Sequence, residues 1–261
     1  MTRIMSPLWR FIGFVLILIT APACSADRLG SNQIELSANL GFSKLTLGNS
    51  TFGITETEVD NLHQTDNPLI GEVAFGMTYV IPFKELSASH RLTWFPALRT
   101  ALYLRYSSHD FFNRTAQGQI EQYQDPRMSN YHYRLSIDST RLMADVILTL
   151  VTHKQMSLFV NGGVGPGWTQ VSYSDEPNLG VVGGNLFLFD KTKKGLVSEI
   201  GVGLFYHCSN KLKLSVNFLH SNFGTIKTGS EGILDGASAS INPARFSLRS
   251  NTILFGLYLT P

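Results

Sequence analysis

Apolar and polar residues alternate with a period of two through most of the chain, in about eight segments, and no segment keeps a helical period over several turns. The clearest runs from Gly195 to Gly224. Its first half sets Leu196, Ile200, Val202, Leu204 and Tyr206 against Val197, Glu199, Gly201, Gly203, Phe205 and His207. After a turn at Cys208-Ser209-Asn210-Lys211, the second half sets Leu212, Leu214, Val216 and Phe218 against Lys213, Ser215 and Asn217. This predicts a hairpin with one greasy and one polar face.

The same alternation predicts strands at Ile34 to Lys44, Glu72 to Ile81, Leu98 to Tyr106, Arg141 to Leu150, Met156 to Trp168 and Asn251 to Leu259. Two irregularities are expected. Tyr131, Tyr133, Leu135 and Ile137 have the opposite parity to Leu142, Ala144, Val146 and Leu148, which predicts a bulge near Ser139-Thr140 if that strand is continuous. Pro166 lacks a ladder donor, so it is expected at a bulge or a rim.

Connections alternate in length. Polar stretches of roughly twenty residues at 46–69, 107–130, 174–194 and 222–244 follow the odd strands, and shorter links at 83–94, 151–155 and 208–211 follow the even ones. The polar faces together carry Glu35, Glu72, Asp145 and Glu199 with Arg99, Arg105, Arg141 and Lys213, both signs in balance. Glycines 41, 76, 163, 165, 201, 203 and 256 share that face, whereas the apolar faces carry almost no charge, with Tyr79, Tyr106, Trp168, Tyr206 and Phe218 near strand ends. A soluble ligand-carrying barrel needs the inverse, apolar inside and polar outside. The expected fold is therefore an all-β, eight-stranded antiparallel up-and-down transmembrane β-barrel with long extracellular loops and short periplasmic turns. Its lumen is expected to be filled and sealed by ion pairs among those eight charged residues.

Composition agrees: 15% of the 261 residues are charged, against about 25% in typical soluble domains. A net charge of +2 without a basic run gives no case for nucleic acid. The first residues carry Arg3 and Arg10, an apolar run from Phe11 to Ile19, then small residues, which reads as a secretory signal over 1–26, cleaved after Ala26 or alternatively Ala23, and leaves 27–261 as the barrel. Cys24 raises lipidation as a rival, but Ala21-Pro22-Ala23-Cys24 lacks the leucine of a lipobox. Without Cys24, Cys208 is alone and no intramolecular disulfide can form.

With strands, faces and loops placed, the chain resembles the opacity-type outer-membrane β-barrel family of Gram-negative bacteria. The likeness sits in VNGGVGPGW (Val160 to Trp168), SEIGVGLFYHCSNKLKLSVNF (Ser198 to Phe218), FGTIKTGSEG (Phe223 to Gly232) and SNTILFGLYL (Ser250 to Leu259). It implies a cell outer-membrane location, variable surface loops, and adhesion or envelope integrity rather than a defined reaction. The implied partners are outer-membrane lipids and lipopolysaccharide, the barrel-assembly machinery, and host or environmental surface ligands of the loops. Such barrels usually finish on an aromatic residue, where this chain has Leu259-Thr260-Pro261, so Tyr258 is the candidate for that role.

Spacing of Cys, His and carboxylates offers no metal cluster, and no cofactor is expected. One catalytic constellation is worth weighing: His220-Ser221-Asn222 resembles the His-x-Ser-Asn motif of barrel-shaped lipid A deacylases, with Glu231 as the third member. Here His220 and Ser221 are adjacent, and neighbours on a strand point to opposite faces. The expectation is a non-enzymatic surface protein; a deacylase and a narrow porin are the alternatives.

Overall fold

The computed structural model describes residues 33–48, 50–53, 59–83, 86–88 (backbone only) and 92–261; the expected signal segment and Cys24 lie outside them. Eight long strands form the body: β1 Gln33–Leu47, β2 Leu69–Pro82, β3 Ala97–Ser108, β4 Tyr131–His153, β5 Met156–Pro177, β6 Leu186–His207, β7 Leu212–Lys227 and β8 Arg245–Leu259. Each pairs antiparallel with its neighbour in sequence. The last also pairs with the first, from Leu36↔Leu259 to Leu47↔Leu248, so the ladder closes on itself. A closed ring leaves no sheet edge along its wall.

The strands reach past the expected boundaries, furthest at the long-loop end. β4 has 23 residues and β5 and β6 have 22 each, about twice the 9–11 that a tilted strand needs to cross hydrocarbon. Much of each expected loop is therefore sheet. The 174–194 stretch shrinks to a connection at 178–185, because β5 runs to Pro177 and β6 begins at Leu186. Within 46–69 and 107–130, the short strands Ser50–Gly53, Val59–Asp66 and Ala116–Glu121 stack edge to edge against the upper half of β4. Within 222–244, the hairpin Glu231–Leu234/Ala237–Ser240 pairs with the upper end of β6. Asn242 N donates to Gly53 O at 3.2 Å and Arg245 N to Ser50 Oγ at 3.1 Å, which ties the two flanks together above β8. A second tier, here the collar, thus stands on the first.

The expected bulge near Ser139-Thr140 is absent. β4 pairs with β3 in one register from Leu98↔Leu148 to Ser107↔Ser139, and with β5 without a shift from Phe159↔Thr149 to Pro177↔Tyr131. Tyr133, Leu135 and Ile137 face inward along with Arg141, Met143 and Asp145. Parity never changes; what changes is the chemistry of the inward face. In the lower tier the lumen is polar and the outside apolar, and in the collar the inside is apolar.

Pro166 is likewise neither at a bulge nor at a rim. It lies opposite Leu196 in mid-strand, its ring on the exposed face, and the β4–β5 register is the same at Val164↔Ala144 and Gly167↔Arg141. Its missing N–H removes a single rung from a ladder held on both sides. Register shifts fall elsewhere: between Leu158 and Phe159 at the turn end, between Val171 and Tyr173 in the collar, and between Asn222 and Gly224. The last is made possible by Gly224, whose φ of 69° is left-handed. It swings Ile226 inward after Ser221 and Phe223.

Candidate functional site

All eight charged residues expected in the lumen are buried there, in two groups. Near the turn end, Glu35 meets Lys213 and lies 3.7 Å from Arg99 Nε, while Arg99 also donates to the Thr149 hydroxyl. Higher up, Arg105 reaches Asp145 at 3.0 Å and Glu199 at 2.7 Å, and Arg141 reaches Glu72 at 2.7 Å. The remaining approaches, Arg105 to Glu72 and Arg141 to Glu199, are 3.9 Å each, so the two guanidinium groups share two carboxylates. Ser43 Oγ donates to Glu72 Oε2 at 2.6 Å and lies 2.6 Å from the Thr252 hydroxyl. Four carboxylates thus face four cations, and pairing of this kind is what keeps buried charge tolerable.

Aromatic rings fill the space around the charges. Arg99, Arg105 and Arg141 lie over the rings of Phe205, Tyr103 and Phe223 at 4.9, 4.8 and 5.0 Å. The Tyr103 and Tyr258 hydroxyls bond across the lumen at 2.9 Å. Gly76 is required where it stands, because a Cβ there would run into the Tyr103 ring. Between Asn39, Arg105, Asn161 and Tyr258 the void left is about 10 Å³, room for about one water and not a channel.

Outside the lower tier the surface is a continuous apolar belt. Leu40, Met77, Leu102, Val146, Val164, Ile200, Val216 and Phe255, from all eight strands, are each about half exposed or more. Patches on water-soluble monomers rarely exceed a few hundred Å²; a belt passing round a closed ring suits hydrocarbon.

No protein-family model and no curated protein matches the chain. Solved structures do match over most of its length. Neisserial surface protein A (NspA) aligns over 88% of this chain and 99% of its own, at 9% identity and a TM-score of 0.43. The Escherichia coli outer-membrane protease OmpT aligns over 92% and 100%, at 11% and 0.47. The outer-membrane protein OprG of Pseudomonas aeruginosa aligns over 90% and 99%, at 10% and 0.40. Likeness at this level carries nothing about activity.

The weighed catalytic residues are not brought together. His220 faces outward, its Nδ1 2.9 Å from Asn251 Oδ1, and Ser221 faces inward, fully buried in the rung opposite Glu199. Glu231 is exposed on the collar hairpin. A base must come within hydrogen-bond reach of its nucleophile, and here the barrel wall stands between the two. Among the described residues, no group of three or more His, Cys, Asp or Glu is placed to hold a metal ion.

The collar is the part that the sequence pattern did not announce. Its interior packs Leu47, Phe52, Leu62, Ile120, Tyr133, Tyr173, Leu188, Phe246 and Leu248, all buried. Tyr133 stacks on Tyr173 at 6.1 Å, and Phe52 and Phe246 close on the pair at 5.5 and 6.0 Å. Asp175 is buried at its edge, and the Tyr173 hydroxyl donates to it at 2.7 Å. Loss of water pushes the Asp175 carboxyl up to about 6, and the same burial raises Tyr173. The signal was present in Tyr131, Tyr133, Leu135 and Ile137, an apolar alternation of reversed sense at the top of β4.

Proposed function

We propose that the chain is an outer-membrane β-barrel of the opacity type, which anchors a rigid collar at the cell surface and serves adhesion or envelope integrity by display, without turning over a substrate. The observation that carries this reading is the exchange of inside and outside along unbroken strands. Where the belt faces out, the lumen holds Arg105, Arg141, Glu72 and Glu199; where the collar core faces in, the outward positions of β4, β5, β7 and β8 hold Arg134, Ser136, Gln170, Lys227 and Arg245, with Phe187 and Phe189 on β6 the apolar exceptions. Hydrocarbon outside the first tier and water outside the second accounts for both halves with one rule.

The collar then lies outside the cell and the connections at 83–96, 154–155 and 208–211 lie in the periplasm. The paired lumen and the apolar plug above it speak for a closed barrel rather than a porin. The opposed faces of His220 and Ser221 speak against the deacylase. The decisive experiment is fractionation combined with gels run with and without boiling. Recovery with outer membranes and a heat-dependent mobility are expected; recovery from the soluble periplasm would overturn the reading.

A further inference from the structure

Charge is distributed unevenly around the outside of the barrel above the belt. On the β3–β5 side acids and bases are matched: Arg134 pairs with Glu176 at 2.8 Å, and His109 approaches Asp138 at 2.9 Å. Asp190 accepts from Gln170 at 2.7 Å and Ser172 at 2.5 Å. The outward faces of β7, β8 and β1 themselves carry cations and no acid. Lys44, Arg249, Lys227 and Arg245 are all exposed, and none has an ion-pair partner among the described residues.

Register places these cations in one strip. Lys44 lies opposite Asn251, and Arg249 opposite Thr46, so Lys44 and Arg249 are diagonal neighbours across the β1–β8 seam, about 7–8 Å apart at the backbone. Asn222 lies opposite Arg249 on the other side. His220 shares the rung of Asn251 and bonds to its side chain. Higher on the same wall, Lys227 stands directly opposite Arg245. Like charges in facing positions repel, and four unpaired cations on the two seams that flank β8 make a strip that is complete only with anions on it.

The rung beneath the strip settles which anion. Phe218, Ile253 and Phe42 form the next outward row down, the top of the belt. Cations therefore begin where the apolar surface stops, which is the arrangement for a molecule with phosphate at the head and hydrocarbon below.

We propose that the strip of Lys44, Arg249 and Lys227, with Arg245 above, binds the phosphate groups of an outer-leaflet lipid whose acyl chains lie on Phe42, Ile253 and Phe218. The proposal rests on the membrane reading above. Asn222 and Asn251 stand within the strip and supply amide donors, and each bound phosphate relieves the repulsion along the seams.

The test uses the full-length chain folded in uncharged detergent micelles, with boiling-dependent gel mobility as an independent check of the barrel. Bisphosphorylated lipid A, the same lipid with its phosphates removed, and inorganic phosphate are each titrated against it, with affinity read from intrinsic fluorescence. Tight binding of the phosphorylated lipid is expected, together with weakening by rising salt. Combined K44Q, R249Q and K227Q should weaken it about tenfold or more while gel mobility stays unchanged. Equal affinity for the dephosphorylated lipid, or an unchanged affinity in the variant, overturns the site; inorganic phosphate binding as tightly as the lipid shows a free-anion site instead. If the triple variant does not fold, R249Q alone and the salt dependence of the unaltered protein decide by the same criteria. Absence of heat-dependent mobility in the unaltered protein sinks the membrane reading rather than the site.

Discussion

Tyr133 and Arg141 point to the same interior from the same face of β4, yet one is stacked on Tyr173 in an apolar core and the other is held by Glu72 at 2.7 Å. Nothing in the backbone separates them, since the ladder with β5 runs through both without a shift. The change of environment between them defines the boundary between the tiers, and most of the expected behaviour follows from it.

Removing one member of the lumen network should be costly. Arg141→Met leaves Arg105 as the one cation among Glu72, Asp145 and Glu199, and a loss of about 3–5 kcal/mol is expected from unfolding in detergent. Replacing Glu72 by Met as well should recover part of that loss. A single variant as stable as the parent would mean that water reaches the site.

Conductance should be negligible. With Tyr103 bonded to Tyr258 across the lumen and the Tyr133–Tyr173 stack above, purified protein in planar bilayers is expected to give no steady openings. Large stable steps would refute a filled lumen.

The collar should be separable in stability from the lower tier. Phe246→Ala opens a cavity in its core, with an expected cost of about 3–5 kcal/mol, while heat-dependent gel mobility of the barrel persists. Protease should then cut within Val59–Asp66 and Glu231–Leu234, where the parent resists.

Acid should firm the collar. Asp175 has a folded pKa of about 6 against an ordinary 3.8; its neutral form is the one that the folded chain prefers. The stabilisation is complete below about pH 4 and is lost as pH rises through 6, up to about 3 kcal/mol. Hydrogen exchange of collar amides between pH 4 and 7 should show this trend, and Asp175→Asn should flatten its own share of it. A parent profile identical to that of the variant would remove Asp175 from the account.

Topology can be read on intact cells. Leu179 and Val182, at the tip of the β5–β6 connection, are fully exposed, and added protease should cut there while sparing Lys154 and Lys211. Cleavage at either lysine would invert the orientation.

The lower tier was legible in the sequence because lipid and lumen differ sharply: Leu196 to Tyr206 and Val197 to His207 sort themselves by period two alone. The lumen charges were legible for the same reason, down to their balance of sign, although the sharing of Glu72 and Glu199 between Arg105 and Arg141 needed the register. The collar was not, because a strand with water outside and apolar packing inside reverses its polarity, and Tyr131 to Ile137 then read as a slip of parity rather than a change of solvent. The flanking strands at Ser50–Gly53 and Ala116–Glu121 are short and polar, so nothing local told them from loops. The cationic strip was hidden for another reason: Lys44, Lys227 and Arg249 are distant in sequence and come onto one wall only through the pairing of β8 with β1 and β7.

The exchange of faces also acts as a depth gauge. If the ring sank by one pair of residues, Lys44 and Arg249 would enter the edge of the hydrocarbon, where the penalty for a basic side chain climbs towards about 2–4 kcal/mol at mid-depth. If it rose by the same step, the belt around Leu196 and Ile200 would be lifted into water. Closure through the β1–β8 pairing prevents any strand from sliding alone, so all eight must shift together and the penalties add round the circumference. On the proposed membrane reading, the vertical position of the molecule is thereby fixed by its own sequence, and the collar is held at a constant height above the bilayer.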